Sequence, residues 1–288
     1  MRTLSFYVKN EYDNREVLHY LRGCAGLSVR LVRSLKQVDN GILLNGIPAR
    51  TVDTIKAGDK ITINIPEDEI IVQPTEYTIN VLYEDDDIIV VDKPALLPMH
   101  PSHNHQGDTL ANAVSWHLAK KGKSSTFRAI GRLDKGTSGI VICALNSFAA
   151  AKLSGKIKKE YTAIATGVLQ GSGTIDKPIF RPDPIKTLRA VGEDGDRAVT
   201  HWQVIDGNNE MTMLKIKLET GRTHQIRVHF SHMGNALVGD RMYGEIHAEI
   251  ERQALHCSHV ELEHPITGEN LKIDAELPQD MERLLSNI

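Results

Sequence analysis

Ile130-Gly-Arg-Leu-Asp-Lys-Gly-Thr-Ser-Gly-Ile-Val-Ile-Cys-Ala144 begins in charge and ends in a strand. Arg132, Asp134 and Lys135 crowd one short turn. Gly136 and Gly139 predict a tight reversal, because glycine alone takes positive φ without steric cost. Thr137 and Ser138 can hydrogen-bond the turn's own backbone. Ile140, Val141 and Ile142 then form a short apolar run of the kind that makes a buried strand. A lone carboxylate is expected on a stiff loop beside a core strand, and rigid placement suits catalysis better than a mobile loop does. An ordinary turn with a solvated aspartate satisfies the same residues, since turns favour Asp and Gly.

The length of 288 residues predicts two domains, taking about 150 residues for each. Apolar residues make up 41%, enough for a core. No run approaches the ~18 apolar residues of a membrane span, and the N-terminus lacks the apolar region of a secretion signal. Cys24, Cys143 and Cys257 are scattered and odd in number, so neither a zinc site nor a disulfide framework is implied. A cytoplasmic protein, with no membrane partner, is the expectation.

The net charge of −3 argues against a nonspecific nucleic-acid coat. Its distribution says otherwise. Between Lys120 and Tyr161 ten basic residues face only Asp134 and Glu160, a local excess that attracts phosphate. From Glu245 onward the balance reverses, with ten acids against Arg252, Lys272 and Arg283. Such a chain can hold RNA at one loop while staying acidic overall.

Residues 1–72 read as a separate small module. Val17, Leu18 and Leu21 fit the stripe of a first helix. Ser28 is a good N-cap for a second helix running through Val38. There Leu31, Val32, Leu35 and Val38 share one face, and Arg30, Arg33 and Lys36 share the other. Asn45-Gly46 is a strong hairpin signal, and Lys60-Ile-Thr-Ile-Asn-Ile65 alternates as a half-buried strand. Pro66-Glu-Asp-Glu69 and Gln73-Pro74 predict a polar, proline-bounded linker, with residues 73–77 as its last part and a second domain over 78–288. Glu84-Asp-Asp-Asp87 is expected as a solvated turn and not a metal site, because consecutive strand residues point to opposite faces. Many short strands with hairpin signals and few long helices predict an α+β fold: a mostly antiparallel mixed sheet flanked by helices, plus the small N-terminal α/β-hairpin domain.

Further along, Ser147 to Ile157 reads as a helix, and Lys158-Lys-Glu-Tyr161 enters a strand in which Tyr161 could simply be core. Residues 168–210 contain turn formers and no catalytic constellation. Met213-Leu-Lys-Ile-Lys-Leu218 alternates as a strand. In Glu219-Thr-Gly-Arg-Thr-His-Gln-Ile-Arg-Val-His-Phe230, Thr223 is expected to cap a short helix with Ile226 and Phe230 toward the core. Arg222 and Arg227 could both be surface arginines there.

Arg132-Leu-Asp134 with Thr137-Ser-Gly139, Tyr161, the Glu219-to-Phe230 block with Gly239-Asp240 and Tyr243-Gly244, and Ala254-Leu-His256 with His264-Pro-Ile-Thr-Gly268 occur in an order that resembles the RluA-type RNA pseudouridine synthases, across roughly residues 78 to 280. One departure is Gly131, where that family usually carries His. In the N-terminal module, Leu27-Ser-Val-Arg-Leu-Val-Arg33, Leu43-Leu-Asn-Gly46 and Ala57-Gly-Asp59 are similar to the alpha-L RNA-binding motif that many RluA-type enzymes carry.

The resemblance implies an isomerase acting on uridines of structured RNA, ribosomal RNA of the large subunit first and transfer RNA second, as a monomer. The C1′–N1 glycosidic bond breaks, the uracil turns, and C5 bonds to C1′, so no cofactor or metal is expected. It assigns Asp134 as the essential carboxylate, attacking the sugar or the base or assisting deprotonation of the sugar. Tyr161 stacks on the base and relays a proton. Arg227 is the cation that keeps Asp134 ionised and oriented. Arg132 fills the gap left by a flipped base. Thr137, Ser138 and Arg222 are expected to touch substrate, and Arg30 and Arg33 to touch RNA from the module. A noncatalytic RNA-binding or ribosome-assembly protein is the alternative. A glycoside hydrolase, in which two carboxylates flank the bond, is disfavoured because the central loop offers only one acid amid cations.

Overall fold

The computed structural model describes residues 1–66, 72–123 and 126–285. Glu67, Asp68 and Glu69 of the expected linker lie outside the described residues.

The N-terminal residues build their own sheet, in the antiparallel order Arg2–Tyr7, Lys60–Ile65, Ile42–Leu44, Ile47–Pro48. Asn45 and Gly46 both take positive φ, 51° and 84°, as the two-residue hairpin turn requires. Two helices, Val17–Gly23 and Val29–Leu35, cover one face. Ser28 caps the second by accepting from the Leu31 N–H at 3.1 Å. That helix buries Leu31, Val32 and Leu35 and ends before Val38. In the first helix Tyr20 joins Val17 and Leu21 in the core, and Leu18 faces out. The expected stripe was one position off because the Tyr20 hydroxyl has a buried use: it donates to the Tyr7 carbonyl at 2.8 Å.

The rest is organised on one large sheet, ten strands among the described residues. Its order is Ser172–Asp176, Val199–Gly207, Met211–Leu218, Lys158–Thr166, Leu255–Glu263, Ser138–Ala144, Ile88–Lys93, Asn80–Glu84. Arg128–Ala129 and Asn270–Asp274 are added at its sides. Pairing is antiparallel throughout except between Leu255–Glu263 and Ser138–Ala144, which run parallel. The helices Leu110–Lys120, Ser147–Leu153, Gln225–His232 and Gln279–Leu285 accompany it. The last three of these are short, and Ser147–Leu153 ends four residues before the expected Ile157.

Ile140, Val141 and Ile142 are at most 1% exposed. Each fully buried aliphatic side chain contributes on the order of 1.5–3 kcal/mol, so this strand anchors the loop before it. Register does the remaining positioning. Cys257 pairs with Tyr161 on one side and with Gly139 on the other. The end of the central loop and Tyr161 therefore lie level across a single strand. Gly139 has a φ of 105°, and an added Cβ would sit 2.3 Å from the Cys257 carbonyl oxygen, so only glycine permits this approach.

The two sheets touch. Arg2 grips Asp87 with Nε at 2.9 Å and Nη2 at 2.6 Å, and Asn146 donates to the same carboxylate at 2.8 Å. Phe148 is buried in the N-terminal core beside Phe6. Asp87, expected in a solvated turn, is 3% exposed because it has these partners. Asp85 shapes the turn by accepting from the N–H groups of Asp87 and Ile88. No helix among the described residues is long and apolar enough to cross a membrane.

Candidate active site

The central loop is clamped from beneath. The Thr137 N–H donates to the Asp134 carbonyl at 3.0 Å and closes the turn. Arg252 Nη1 donates to the carbonyls of Gly136, Gln253 and Leu255, each at 3.1 Å. Its Nε and Nη2 hold Asp280 at 2.7 and 2.8 Å. Lys93, fully buried, donates from Nζ to the carbonyls of Pro94, Leu97 and Lys135. Burial and then the Arg252 charge push its pKa down to about 7, with Asp134 opposing them. Gly136 does not take a positive φ; an added Cβ would meet Gln253 Oε1 at 2.5 Å, so the Gln253 amide would have to shift.

Thr137 and Ser138, expected to touch substrate, are each 2% exposed. Thr137 Oγ1 accepts from Gln253 Nε2 at 3.1 Å, and Ser138 Oγ bonds His256 Nδ1 at 2.9 Å. Ser138 is thus engaged inside the sheet by His256. Thr137 reaches the rim of an inner recess beside Asp134, with its hydroxyl oxygen engaged by Gln253. Burying a hydroxyl without a partner is costly, which is why both face inward to one. Gly131 has a φ of 81° and sits beside Lys159, so the backbone there is suited to glycine and not to the His of the resembled family.

Asp134 is half-buried and meets the helix Gln225–His232. Arg227 Nη1 donates to Asp134 Oδ2 at 3.0 Å. The other edge of the same guanidinium grips Asp240, with Nε at 2.7 Å and Nη2 at 2.8 Å. Asp240 is fully buried and also accepts from the N–H groups of Met242 and Tyr243. Burial disfavours the charged guanidinium, and the pairs with Asp240 and Asp134 more than offset it, so its pKa is raised. The Tyr243 ring stacks near Arg227, 5.0 Å from its Cζ. The Tyr243 hydroxyl bonds His224 Nδ1 at 2.8 Å and accepts from the Arg189 N–H at 2.9 Å. His224 Nε2 lies 3.9 Å from Asp134 Oδ2, and burial lowers the pKa of this imidazole.

The helix is capped at His224, φ 59°, and not at Thr223. No side chain caps it; Gln225 instead ties down the preceding turn, its Oε1 accepting from the Arg222 N–H at 3.0 Å and the Thr220 hydroxyl at 2.9 Å. Arg222 stays outside, pairing with Asp196 at 3.2 Å and donating to the Arg197 carbonyl at 3.1 Å. Of the two arginines, Arg227 is therefore the one at Asp134.

Tyr161 is 7% exposed and lines the inner recess with Arg132, Asp134, His224 and Arg227. Burial drives its pKa well above the ordinary phenol value, and Cys257 and Asp134 add to that, so it is a neutral hydroxyl at neutral pH. The recess opens into a cleft of about 930 Å³. Arg132, Lys135, Arg189, Arg222, Arg227, Arg241 and Arg252 line that cleft against two carboxylates, Asp134 and Glu251.

This basic surface is not the one expected from the linear sequence. Lys121 and Lys123 are neutralised by Glu84 and Asp86 at 2.6 and 3.0 Å. Arg132 and Lys135 remain from the linear patch, and Arg189, Arg222 and Arg241 come from elsewhere in the chain. Arg189 sits in the region that offered no constellation by sequence. Asp240, Tyr243 and His224 lay within quoted blocks, but no local signal marked their roles. Arg30 and Arg33 are exposed on the N-terminal module's second helix, as its apolar periodicity implied.

The RNA pseudouridylate synthase family profile matches residues 87–232. An uncharacterized RNA pseudouridine synthase, YjbO of Bacillus subtilis, is 38% identical over 274 residues, 91% of this chain and 96% of that one. Ribosomal large subunit pseudouridine synthase D of Haemophilus influenzae is 38% identical over 269 residues, 81% of this chain and 83% of that one. Among solved structures, human RNA pseudouridylate synthase domain containing 1 shares the fold with a TM-score of 0.57 and 24% identity, over 75% of this chain and 97% of that one. With its central loop, cleft and sheet in the order described, this chain belongs to the RNA pseudouridylate synthase family and is an RNA pseudouridine synthase, an isomerase.

Proposed function

We propose that the enzyme isomerises uridines in structured ribosomal RNA of the large subunit, with Asp134 as the essential carboxylate. The observation that carries this reading is the ion pair of Asp134 with Arg227, inside a cleft otherwise dominated by cations. The cleft's arginines suit phosphate, and the half-buried carboxylate between them suits the sugar of a nucleotide turned out of its helix.

The reaction exchanges a C–N for a C–C glycosidic bond. C1′–N1 breaks, C5 bonds to C1′, the C5 hydrogen leaves, and N1 ends protonated. Whether the carboxylate acts on C1′, on the base or through the sugar's own proton, it has to be ionised and fixed. Arg227 fixes it through the Nη1–Oδ2 bond, and Asp240 fixes Arg227 in turn. Tyr161, a neutral phenol beside Asp134, is placed in our reading to stack on the uracil and to pass a proton. Arg132, exposed at the mouth of the recess, fills the stack after flipping, since a planar guanidinium can lie against neighbouring bases. The N-terminal module, with Arg30 and Arg33, adds RNA affinity away from the reacting base.

The substrate assignment is tested by mapping pseudouridines in RNA from a strain lacking the gene. Loss of pseudouridine at a large-subunit ribosomal RNA position, restored by the wild-type gene, supports it. Unchanged ribosomal RNA with a loss in transfer RNA would move the substrate class.

A further inference from the structure

Beyond Arg222 the cleft wall opens into a second recess of about 420 Å³. The two share Arg189 and Arg222, so they adjoin across these side chains. The second recess is framed by a small hairpin in which Ile179–Phe180 pairs with Ala190–Val191. Backbone bonds in both directions between Ile179 and Asp196, each 2.9 Å, tie the following loop to it. Phe180 is half-buried against Gly192, where an added Cβ would meet the ring at 2.5 Å. The ring lies against that glycine and lines the recess.

The polar residues around it form a pattern. Arg181 commits Nε to the Lys186 carbonyl at 2.8 Å, and its Nη atoms have no hydrogen bond among the described residues. Arg222 is steered by Asp196 and the Arg197 carbonyl. Asp194 is exposed and makes no side-chain hydrogen bond among the described residues. An aromatic face with cations beside it is the composition of a single-strand nucleic-acid site: the ring stacks on a base and the cations take the phosphate. A pure anion site would not carry Phe180 or the acceptor Asp194.

We propose that this recess is a second nucleotide subsite, which seats an unpaired nucleotide of the same RNA with its base on Phe180 and its phosphate on Arg181 and Arg222. Asp194 accepts from an exocyclic amine, so adenine, cytosine and guanine are favoured over uracil, which has none. The inference rests on reading the main cleft as the RNA site. Flipping the target unstacks its neighbours, and a seat for one of them holds the opened strand.

The test is ¹⁹F NMR of the full-length protein labelled with 4-fluorophenylalanine. The chain has five phenylalanines, so five signals are expected. Phe180→Leu assigns one, and Phe127→Leu assigns another, that of the ring beside His100 on the main cleft wall. Cytidine and guanosine 5′-monophosphates should shift the Phe180 signal at millimolar concentration. Uridine 5′-monophosphate should bind there several-fold more weakly, and Arg181→Ala should weaken cytidine monophosphate by about tenfold. Nucleotides that move only the Phe127 signal would overturn the proposal. So would inorganic phosphate reproducing the Phe180 shift at the same concentration. This readout needs no turnover, so failure of uridine isomerisation in the wild type would count against the function and not against the subsite.

Discussion

Arg227 holds two carboxylates at once, Asp134 at 3.0 Å from Nη1 and the buried Asp240 through Nε and Nη2. The second pair orients the first. Removing one partner of a buried ion pair strands the other charge, at a cost of about 3–5 kcal/mol. Asp240→Asn should therefore lower the melting temperature and reduce kcat more than RNA affinity. Thermal melts with kinetics on the same preparation check this. Wild-type kcat with an intact fold would remove Asp240 from the account.

Arg227→Ala and Arg222→Ala should differ in kind. The first leaves Asp134 without its cation and should reduce kcat by about 10²-fold or more, since misplacing a reacting group by about 1 Å can cost that much. The second removes a cleft cation that is paired only at its outer edge, and should mainly raise KM, by several-fold. A kcat loss confined to Arg222→Ala would transfer the positioning role to it.

Tyr161→Phe keeps the ring and its burial while removing the hydroxyl. Turnover should fall strongly with RNA binding retained and the melting temperature little changed. Lost thermal stability with near-normal turnover would make Tyr161 a core residue only.

His256 offers a pH test of the loop's support. Burial lowers its pKa to about 4, against about 6.5 for the unfolded chain. Between those values the unfolded state binds more protons, so stability is lost as pH falls from about 6.5 to 4 and levels off below. Melts of the wild type and His256→Gln across that window should show a shallower slope in the variant. Equal slopes would mean that His256 does not titrate in folding.

Deleting residues 1–72 should leave a folded domain that acts on RNA with weaker binding or altered site choice. The deletion also uncovers Phe148 and leaves Asp87 without Arg2. Solubility of the truncated protein should thus improve with Phe148→Ser and Asp87→Asn together. A truncated double variant that still aggregates would contradict two separable units.

Periodicity read well wherever one face decides the matter. Leu31, Val32 and Leu35 against Arg30 and Arg33 follow from helical spacing alone. Leu214 and Ile216 are fully buried between the outward Lys215 and Lys217, which pair with Glu160, as alternation implied. Asp134 stood out as the one acid in a basic loop. What could not be read was which buried polar group satisfies which. Arg252 reaches Gly136 across 116 residues, and nothing local in either segment encodes it. Ser138 looked like a loop hydroxyl facing substrate, but its partner His256 comes from a strand brought alongside only by parallel pairing. Reading residues 1–72 as a separate module gave no sign that Arg2 and Asp87 pair, two charges that look solvated until they meet.

The most direct test of the central claim is release of tritium from RNA labelled at uridine C5, measured for the wild type and Asp134→Asn with RNA affinity determined in parallel. The account predicts stoichiometric release by the wild type, none above background by the variant, and affinities within a few-fold of each other. Near-normal release by Asp134→Asn would contradict it.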